Sequence, residues 1–404
     1  MPWKETSSMK ERKQLYLAWL RGDSTVAELC RRFGVSRKTA YKWLKRAGDG
    51  DEQSLVDRSR RPKSSPQAIE PWIVDAIVDA RKRRPTWGPK KLLTVMAAMN
   101  PRMKLPAAAT YAAIFKRHGL VRPRRRRNRT PPFSEPLAHA TAPNKLWCVD
   151  FKGHFAVGKR RCYPLTVTDA YSRYVIACIA LKNTRYKTVR RAFEQIFAAF
   201  GLPEGIRSDN GEPFASKAVC GFSQLSAWWW TLGIRHERIA PGHPEQNGRH
   251  ERMHLTLKQE TASPPSATWP AQERAFDRFR AVFNDQRPHE ALGMKTPSSY
   301  YEKSKRPLPT PSWGRDFEYP FDYETVRVSK LGRVNSTAGS FFVSTALMHQ
   351  RLGLEWTNRG DWVLHFGAMT LGTVRRLKGR RRRVLFTPVG EVSPMSPDVR
   401  RSLN

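Results

Sequence analysis

Apolar positions in the first fifty residues recur at helical spacing in three short segments. They predict helices over about 10–20, 25–33 and 37–46. Gly34-Val35 supplies a tight turn, and Ser36 is a good N-cap for the third helix, which together are typical of a helix-turn-helix. The alternative is an ordinary three-helix bundle with a basic face. The third helix carries residue types that reach the phosphates and base edges of DNA, namely Arg37, Lys38, Tyr41, Lys42 and Lys45.

A second unit of the same kind is predicted after a linker rich in Ser, Pro and Arg. Its helices are expected over about 69–83, 90–99 and 106–118, with Pro89 well placed at a helix start. The run VRPRRRRNRT follows at 121–130. Such a run repels itself too strongly to fold alone, so we expect a linker or an arm that follows phosphates.

The periodicity changes near Asn144, where short apolar runs typical of strands begin. Strands are predicted over 146–151, 162–168, 174–181, 205–208 and 234–240. Helices are predicted over 184–200 and over 268–292. Between them, helical segments are predicted that end at Leu232, and a further helix that begins at about Gln246. Three strands followed by alternating helices and strands predict an α+β fold with one mixed sheet.

The last ninety residues have a third pattern, in which short strands are separated by glycine. After a Pro-rich stretch at 297–311, strands are predicted over 325–328, 340–343, 352–356 and 362–366. This pattern indicates a small β-barrel of about 80 residues. The longest uncharged run, 218–234, is too short for a membrane span and predicts a buried helix.

The net charge of the chain indicates which class of partner the protein binds. The 404 residues contain 73 Lys and Arg against 35 Asp and Glu, a net charge of +38. Residues 1–130 alone hold 32 basic and 11 acidic residues, which is more than half of this excess. Solubility asks for a net charge of only about 2–8 on a small domain, so the excess indicates a nucleic-acid partner. Five scattered cysteines without a CxxC pair argue against a disulfide framework and favour a reducing compartment.

Three acids stand out because they fall at the ends of predicted elements. Asp150 closes the first strand of the middle region, Asp209 follows another strand, and Glu251 lies early in a helix. Carboxylates from two strand ends and a helix can converge on one or two Mg²⁺ ions, which stabilise both oxygens of an in-line phosphoryl displacement. The alternative is three unrelated surface acids, but such acids would repel DNA unless a metal ion lay between them.

The middle region, from Trp147 to Leu292, resembles the integrase core shared by retroviral integrases and many bacterial insertion-sequence transposases. The resemblance rests on these stretches in order: WCVDFKG, TVTDAYSRY, RSDNGEPF, LGI, PGHPEQNGRHERMH, LK and FNDQRPHEAL. Together with the paired helix-turn-helix units and the barrel, it is closest to insertion-sequence family 481. It implies an α+β multidomain chain whose core is RNase H-like, with a mixed five-stranded sheet. The expected domains are two helix-turn-helix domains, a basic linker, the catalytic core and the β-barrel, at 1–60, 66–121, 122–140, 141–305 and 315–404.

The resemblance leaves a choice for the third catalytic acid. A spacing of 35 residues, common in integrase cores, would select Glu245, whereas the surrounding motif selects Glu251. Gln246-Asn247-Gly248 precedes Glu251, and Lys258 follows seven residues later, suited to phosphates of the DNA end. We choose Glu251 because it lies on a rigid helix, while Glu245 lies in a Pro/Gly loop. Asp169 is not chosen, because it precedes Ala-Tyr-Ser in a predicted hairpin, where an aspartate is typical of a turn.

The resemblance implies a DDE transposase that uses Mg²⁺, with Mn²⁺ able to substitute. Catalytic and metal-binding roles fall to Asp150, Asp209 and Glu251. Expected partners are double-stranded DNA, both the terminal inverted repeats and the target, and a second copy of the chain in a homodimer or higher oligomer. No membrane partner is expected, and the implied location is the bacterial cytoplasm, at the nucleoid.

Two other functions remain open from the sequence. A degenerate relative could bind DNA and repress its element without cutting it. His250-Glu251-Arg252-Met253-His254 also matches HExxH, the zinc-peptidase pattern, with Glu273 as a third ligand. Pro264-Pro265 interrupts the path to Glu273, and zinc chemistry leaves Asp150 and Asp209 without a role.

Overall fold

A computed structural model describes residues 7–48, 52–57, 59, 68–121, 140–239, 248–312, 314, 316–358, 360–377 and 383–389. Contacts divide the chain into two units, residues 1–70 and 71–404. The basic run at 122–130 and the segment 240–247, which includes Glu245 and His243, lie outside the described residues.

The first unit has the three helices that the sequence predicts. They are α1 (Ser8–Leu20), α2 (Val26–Phe33) and α3 (Arg37–Ala47). Gly34 ends α2 in the left-handed conformation, with φ of 63°, which a glycine adopts without strain. The Ser36 side chain accepts a hydrogen bond from the Thr39 backbone, as the N-cap prediction requires. Leu15, Leu29 and Ala40 form the small core between the helices.

A second set of three helices opens the larger unit. These are α4 (Pro71–Arg83), α5 (Pro89–Met99) and α6 (Ala108–Arg117). Trp87, Tyr111 and Phe115 are almost fully buried between them. Helix α6 begins two residues later than predicted, because Ala107 is extended and serves as its N-cap.

A mixed sheet forms the centre of the larger unit. Its strands are β1 (Trp147–Phe151), β2 (Phe155–Val157), β3 (Arg160–Asp169), β4 (Val175–Leu181), β5 (Gly205–Ser208) and β6 (Arg235–Arg238). The order is β4-β3-β1-β5-β6, with β1, β5 and β6 parallel to one another and the β3–β4 hairpin antiparallel to β1. The predicted mixed five-stranded sheet is therefore confirmed, and the short β2 adds a sixth strand beside the start of β3.

Helices cover both faces of this sheet. They are α7 (Tyr186–Phe200), α8 (Gln224–Thr231), α9 (Gly248–Thr261) and α10 (Trp269–Ala281). Phe193, Phe197 and two tryptophans of α8 pack with the strands in one apolar cluster. Met253, Leu257 and residues of α10 form a separate cluster with β4. A helix that carries a functional side chain, α9, is thus fixed to the sheet by its apolar face.

The regular part of α10 is shorter than predicted. It ends at Ala281 and continues as one π-helical turn over Val282–Gln286. The proline at 288 disfavours helical backbone at the residue before it, and Arg287 is extended. The wider turn buries Asn284, whose amide accepts from Val175 N (2.8 Å) and donates to Val175 O (2.9 Å).

The C-terminal region is an antiparallel sheet with an added hairpin. Strands β7 (Glu324–Arg327), β10 (Arg351–Trp356), β11 (Trp362–Phe366), β12 (Met369–Leu377) and β13 (Arg383–Pro388) make a five-stranded sheet, and β8 (Arg333–Ser336) pairs with β9 (Gly339–Phe342). One apolar cluster joins the sheet to the hairpin and also takes in Phe222 and Ala227 beside and within α8. The C-terminal region is therefore anchored on the central unit.

Two further expectations concern cysteines and membranes. All five cysteines are unpaired and buried. The predicted buried helix at 218–234 is shortened to α8, preceded by a single helical turn at Val219–Gly221. Within the described ranges, no helix is both long and apolar enough to cross a membrane.

The Asn284 contact gives a stability prediction. Replacing Asn284 with Ala leaves both backbone groups of Val175 buried without a partner, at a cost of about 1–3 kcal/mol for each group. We expect the free energy of unfolding to fall by about 2–6 kcal/mol, measured by urea denaturation. The matched control is Asp285→Ala at the adjacent exposed position, which should change it little. Equal effects of the two substitutions would contradict this role for Asn284.

Candidate functional site

Asp150 lies on β1, the strand that the β3–β4 hairpin and β5 flank on either side. Its side chain is 22% exposed. The pKa of the Asp150 carboxyl is raised to about 7, mainly by burial and then by the nearby carboxylates of Asp209 and Glu251, against the opposing effects of a backbone hydrogen bond from Phe151 and of Lys152. Asp150 is thus an acid held in a negative environment, within a chain that is strongly basic elsewhere.

Asp209 follows directly after β5 and is exposed. Because β1 and β5 are parallel and adjacent, their carboxyl ends meet at the same edge of the sheet. The Asp209 side chain accepts a hydrogen bond from Gly211 N at 3.2 Å, which fixes the turn after the strand. Below it, buried Ser208 lies 2.8 Å from Nε2 of His236 on β6.

Glu251 lies in the first turn of α9, and its side chain is exposed. Its negative charge contributes to the raised pKa of Asp150, as the charge of Asp209 does. Asp150 therefore lies within electrostatic reach of the two other acids chosen from the sequence. Glu245, the alternative third acid, falls outside the described residues, so the choice between the two glutamates stays a prediction.

The donor set suits a hard divalent cation. Three carboxylates offer the oxygen ligands that Mg²⁺ prefers, and a cation among them would relieve the repulsion that raises the pKa of Asp150. Across the described part of the chain, however, no three His, Cys, Asp or Glu side chains stand close enough together to form a ready-made metal cage.

A buried polar network connects Asp150 to α9. The Thr166 hydroxyl on β3 donates to the Asp150 carbonyl at 3.0 Å and lies 2.7 Å from His250 Nε2 and 2.6 Å from His254 Nε2. With its proton directed at the carbonyl, the hydroxyl oxygen accepts from both ring N–H groups. The other ring nitrogen of His250 lies 2.9 Å from the Thr168 hydroxyl, and Nδ1 of His254 faces Asp150 Oδ2 at 3.7 Å. Sequence reasoning missed Thr166, whose place in a strand of apolar and small residues gives no signal.

This network argues against the zinc-peptidase reading of HExxH. Both ring nitrogens of His250 lie at hydrogen-bond distance from threonine hydroxyls, so neither is free to bind zinc in this arrangement. Glu273, the third ligand of that reading, accepts a hydrogen bond from Trp269 on its own helix. The two histidines serve the contact between α9 and the sheet.

Asp169 has the turn role that the sequence predicts. Its carboxylate accepts from the Ser172 backbone (2.7 Å), the Ser172 hydroxyl (2.6 Å) and Asn144 N (2.8 Å). It is 1% exposed, and burial raises its pKa against these hydrogen bonds. The carboxylate closes the β3–β4 hairpin and does not lie in the acidic group.

The predicted DNA-contacting side chains share one exposed face of α3. The opposite face is buried by Ala40, Trp43, Leu44 and Ala47. Exposed along α3 are Arg37, Lys38, Tyr41, Lys42 and Lys45. Lys258 is also exposed, two turns beyond Glu251 on α9, which places it on nearly the same face as that acid.

Family comparisons define the class of protein. Integrase core domain models match residues 140–244 and 232–297. A helix-turn-helix domain model matches residues 11–63, and a homeodomain-like model matches residues 39–101. The chain thus carries an integrase core domain preceded by helix-turn-helix domains, and DNA binding follows from both.

The similar proteins include two from bacterial insertion elements and a solved retroviral integrase core. An uncharacterized 31.7 kDa protein of element IS407 from Burkholderia multivorans is 29% identical over 49% of this chain and 70% of its own length. An uncharacterized 39.2 kDa protein of element IS476 from Xanthomonas euvesicatoria is 30% identical over 45% of this chain and 51% of its own length. The HTLV-2 integrase catalytic core domain, solved in complex with magnesium, is 20% identical with a TM-score of 0.32, over 40% of this chain and 99% of that one. The predicted resemblance to insertion-sequence proteins with an integrase-like core is confirmed, and the assignment to family 481 stays a prediction.

Thr166 provides a test of the network. Thr166→Val keeps the shape of the side chain but leaves two histidine N–H groups and the Asp150 carbonyl without their common partner. We expect a loss of about 2 kcal/mol or more in the free energy of unfolding, measured by urea denaturation. The control, Thr256→Val on α9, removes only a long 3.3 Å hydrogen bond to the carbonyl of Arg252. If Thr166→Val proved no more destabilising than the control, the network would not hold α9 to β1.

Proposed function

We propose that the protein is a DDE transposase, which nicks DNA at the ends of its element and joins the freed 3′-OH to target DNA. The observation that carries this proposal is the pairing of β1, which bears Asp150, with the parallel strand β5, which Asp209 directly follows, in an integrase core domain. The effect of Asp209 and Glu251 on the pKa of Asp150 supports it. Polynucleotidyl transfer is the chemistry that such a group of carboxylates serves.

Asp150, Asp209 and Glu251 would hold Mg²⁺, or Mn²⁺ in its place. When bound, the metal ion supplies electrostatic stabilisation of the attacking and leaving oxygens of a phosphoryl displacement. The residues of the chain do the positioning. The parallel β1–β5 pairing sets the spacing of the two aspartates, and the Thr166 network fixes α9 with its glutamate against β1. Lys258, on the same helix, would bind a phosphate of the DNA end.

The other domains would supply recognition. The helix-turn-helix domain at 1–60 and the second at 66–121 would bind the terminal inverted repeats, with α3 in the major groove. The basic linker at 122–140 would follow phosphates, the core at 141–305 would carry out the reaction, and the sheet region at 315–404 would hold DNA or a partner copy. Because two element ends must be joined, at least a dimer on DNA is expected.

Strand transfer by the purified full-length protein tests the active site. Substrates are DNA ends from the inverted repeats that flank the gene, with Mg²⁺ or Mn²⁺ present. We expect Asp150→Asn, Asp209→Asn and Glu251→Gln to lower the rate by at least about 10³-fold, because each removes a charge that holds the metal ion. Each variant should still bind the inverted repeat.

Glu245→Gln is the matched control for the third acid. It should keep activity within a few-fold of wild type if Glu251 has the catalytic role, and the reverse result would assign that role to Glu245. If wild type binds the ends specifically but joins none of them under any divalent metal, the chain is a repressor. If Asp209→Asn were as active as wild type, the proposed site would be wrong.

The exposed face of α3 is tested by binding alone. Arg37→Gln and Lys42→Gln should each lower the affinity for the inverted-repeat duplex by about 1–3 kcal/mol where the side chain contacts a base, measured by fluorescence anisotropy at fixed salt. An unrelated duplex reports the loss of phosphate contacts. The control is Lys10→Gln, at an exposed position on α1. Equal affinities for all three variants would place the recognition surface elsewhere.

A further inference from the structure

A basic group lies where the second helix-turn-helix unit contacts the integrase core. Around α5 the contacts are polar: Arg84 Nη2 to Gln286 Oε1 at 2.7 Å, Thr86 Oγ1 to Glu260 Oε1 at 2.5 Å, and Lys90 Nζ to Glu290 Oε2 at 3.5 Å. We call the surrounding group the basic junction. It consists of Lys91, Arg173, Arg252, Arg287 and His289.

The members of the basic junction come from four different elements, and their charges affect one another's pKa values. Lys91 is on α5, Arg173 is in the β3–β4 turn, Arg252 is on α9, and the last two follow the π turn. The pKa of Lys91 is lowered to about 8, mainly by burial and then by the charges of Arg287, Arg173 and Arg252. The fold thus brings like charges together in a partly buried place, which costs free energy unless an anion joins them.

The acids at the basic junction do not balance it. Glu260 pairs with Arg287 at 3.3 Å, and Glu290 pairs with Lys90 and partly offsets the effects on Lys91. Arg249, two residues before Glu251 on α9, adds a further positive charge near Arg173. Positive charge therefore remains in excess after every carboxylate that the structure places there has been counted.

Two buried polar atoms at the basic junction have no partner. Arg287 Nε and His289 Nε2 make no hydrogen bond, although the residues are only 8% and 9% exposed. Buried polar groups are rarely left unpaired, and each specific case calls for an explanation. Burial and the charges of Lys91, Arg287 and Arg173 lower the pKa of His289 to about 3, so its imidazole is neutral at pH 7. The Nε–H group of Arg287 is a donor that stays charged, so an oxyanion satisfies it.

Helix α5 points to the same ligand. It begins at Gly88-Pro89 with no side-chain cap, and Lys90 and Lys91 occupy its first turn. Cations are unfavourable at a helix N-terminus, where exposed N–H groups and the helix dipole favour an anion. An oxyanion bound beside Lys91 would place negative charge at the start of α5 and offset the unfavourable effect of the two lysines there.

We propose that the basic junction binds a phosphodiester of the DNA backbone, so that DNA held by the second helix-turn-helix unit continues past Arg252 to the adjacent Glu251. This inference rests on the proposed function, because it takes DNA as the source of the oxyanion. Free phosphate offers the same chemistry, and the experiment separates the two sources. The basic junction is distinct from the exposed face of α3, which belongs to the other unit.

The test is the salt dependence of DNA binding by the full-length protein. Each phosphate contact contributes about 0.9 to the slope of log K against log salt concentration. Lys91→Gln and Arg173→Gln should each lower the slope by about 1, with inverted-repeat and unrelated duplexes affected alike. The matched control is Arg278→Gln on α10, whose exposed side chain lies outside the basic junction. Lys91→Arg, which keeps the charge, should restore the wild-type slope.

Three outcomes decide the inference. A slope lowered in both junction variants but not in the control supports it, provided that thermal unfolding shows all variants folded. Slopes equal to that of Arg278→Gln overturn it. Inorganic phosphate that raises the unfolding temperature of wild type but not of Lys91→Gln, with unchanged DNA slopes, assigns the site to free oxyanions and also overturns it. Strand transfer by wild type is measured in parallel, so a failure of the proposed function is seen separately from a failure at the basic junction.

Discussion

The burial of a carboxyl group close to other carboxylates is the constraint on which the proposed site depends. Burial is the largest cause of the raised pKa of Asp150, and the charges of Asp209 and Glu251 add to it. The parallel pairing of β1 with β5 fixes two of these acids, and the packing of Met253 and Leu257 fixes the helix of the third. The hairpin, the helices on both faces and the buried threonine–histidine network all serve to keep these acids in place.

Most of the fold could be predicted from periodicity, whereas the supporting contacts could not. The three helices of the first unit, the strands of the mixed sheet and the turn role of Asp169 agree with the pattern of the sequence. Strand ends and motifs select the three acids, and their catalytic role stays a prediction. Thr166 and Asn284 were missed because their roles depend on residues 84 and 109 positions away in the chain, and local pattern carries no signal of such pairings.

Contacts between residues far apart in the chain also explain why the end of α10 and the arrangement of the C-terminal strands were predicted only approximately. The helix expected over 268–292 ends as regular helix at Ala281, because a π turn and the proline at 288 redirect the chain so that Asn284 can bracket Val175. The C-terminal strands were predicted one by one. Their order in the sheet and the apolar cluster that joins them to α8 depend on tertiary contacts, which the local pattern does not indicate. Charge composition indicated a nucleic-acid partner, and only the fold shows that some of that charge is gathered and partly buried beside α5.

The threonine between the two histidines also bears on how sequence motifs are interpreted. HExxH specifies a helix with two imidazoles on one face, and the helix alone does not decide what they bind. Here the decision is made by one hydroxyl on a strand more than eighty residues earlier, which faces both imidazoles. A search that scores only the helix would place this chain among metallopeptidases. Adding the residue that faces the histidines from the neighbouring strand would exclude it.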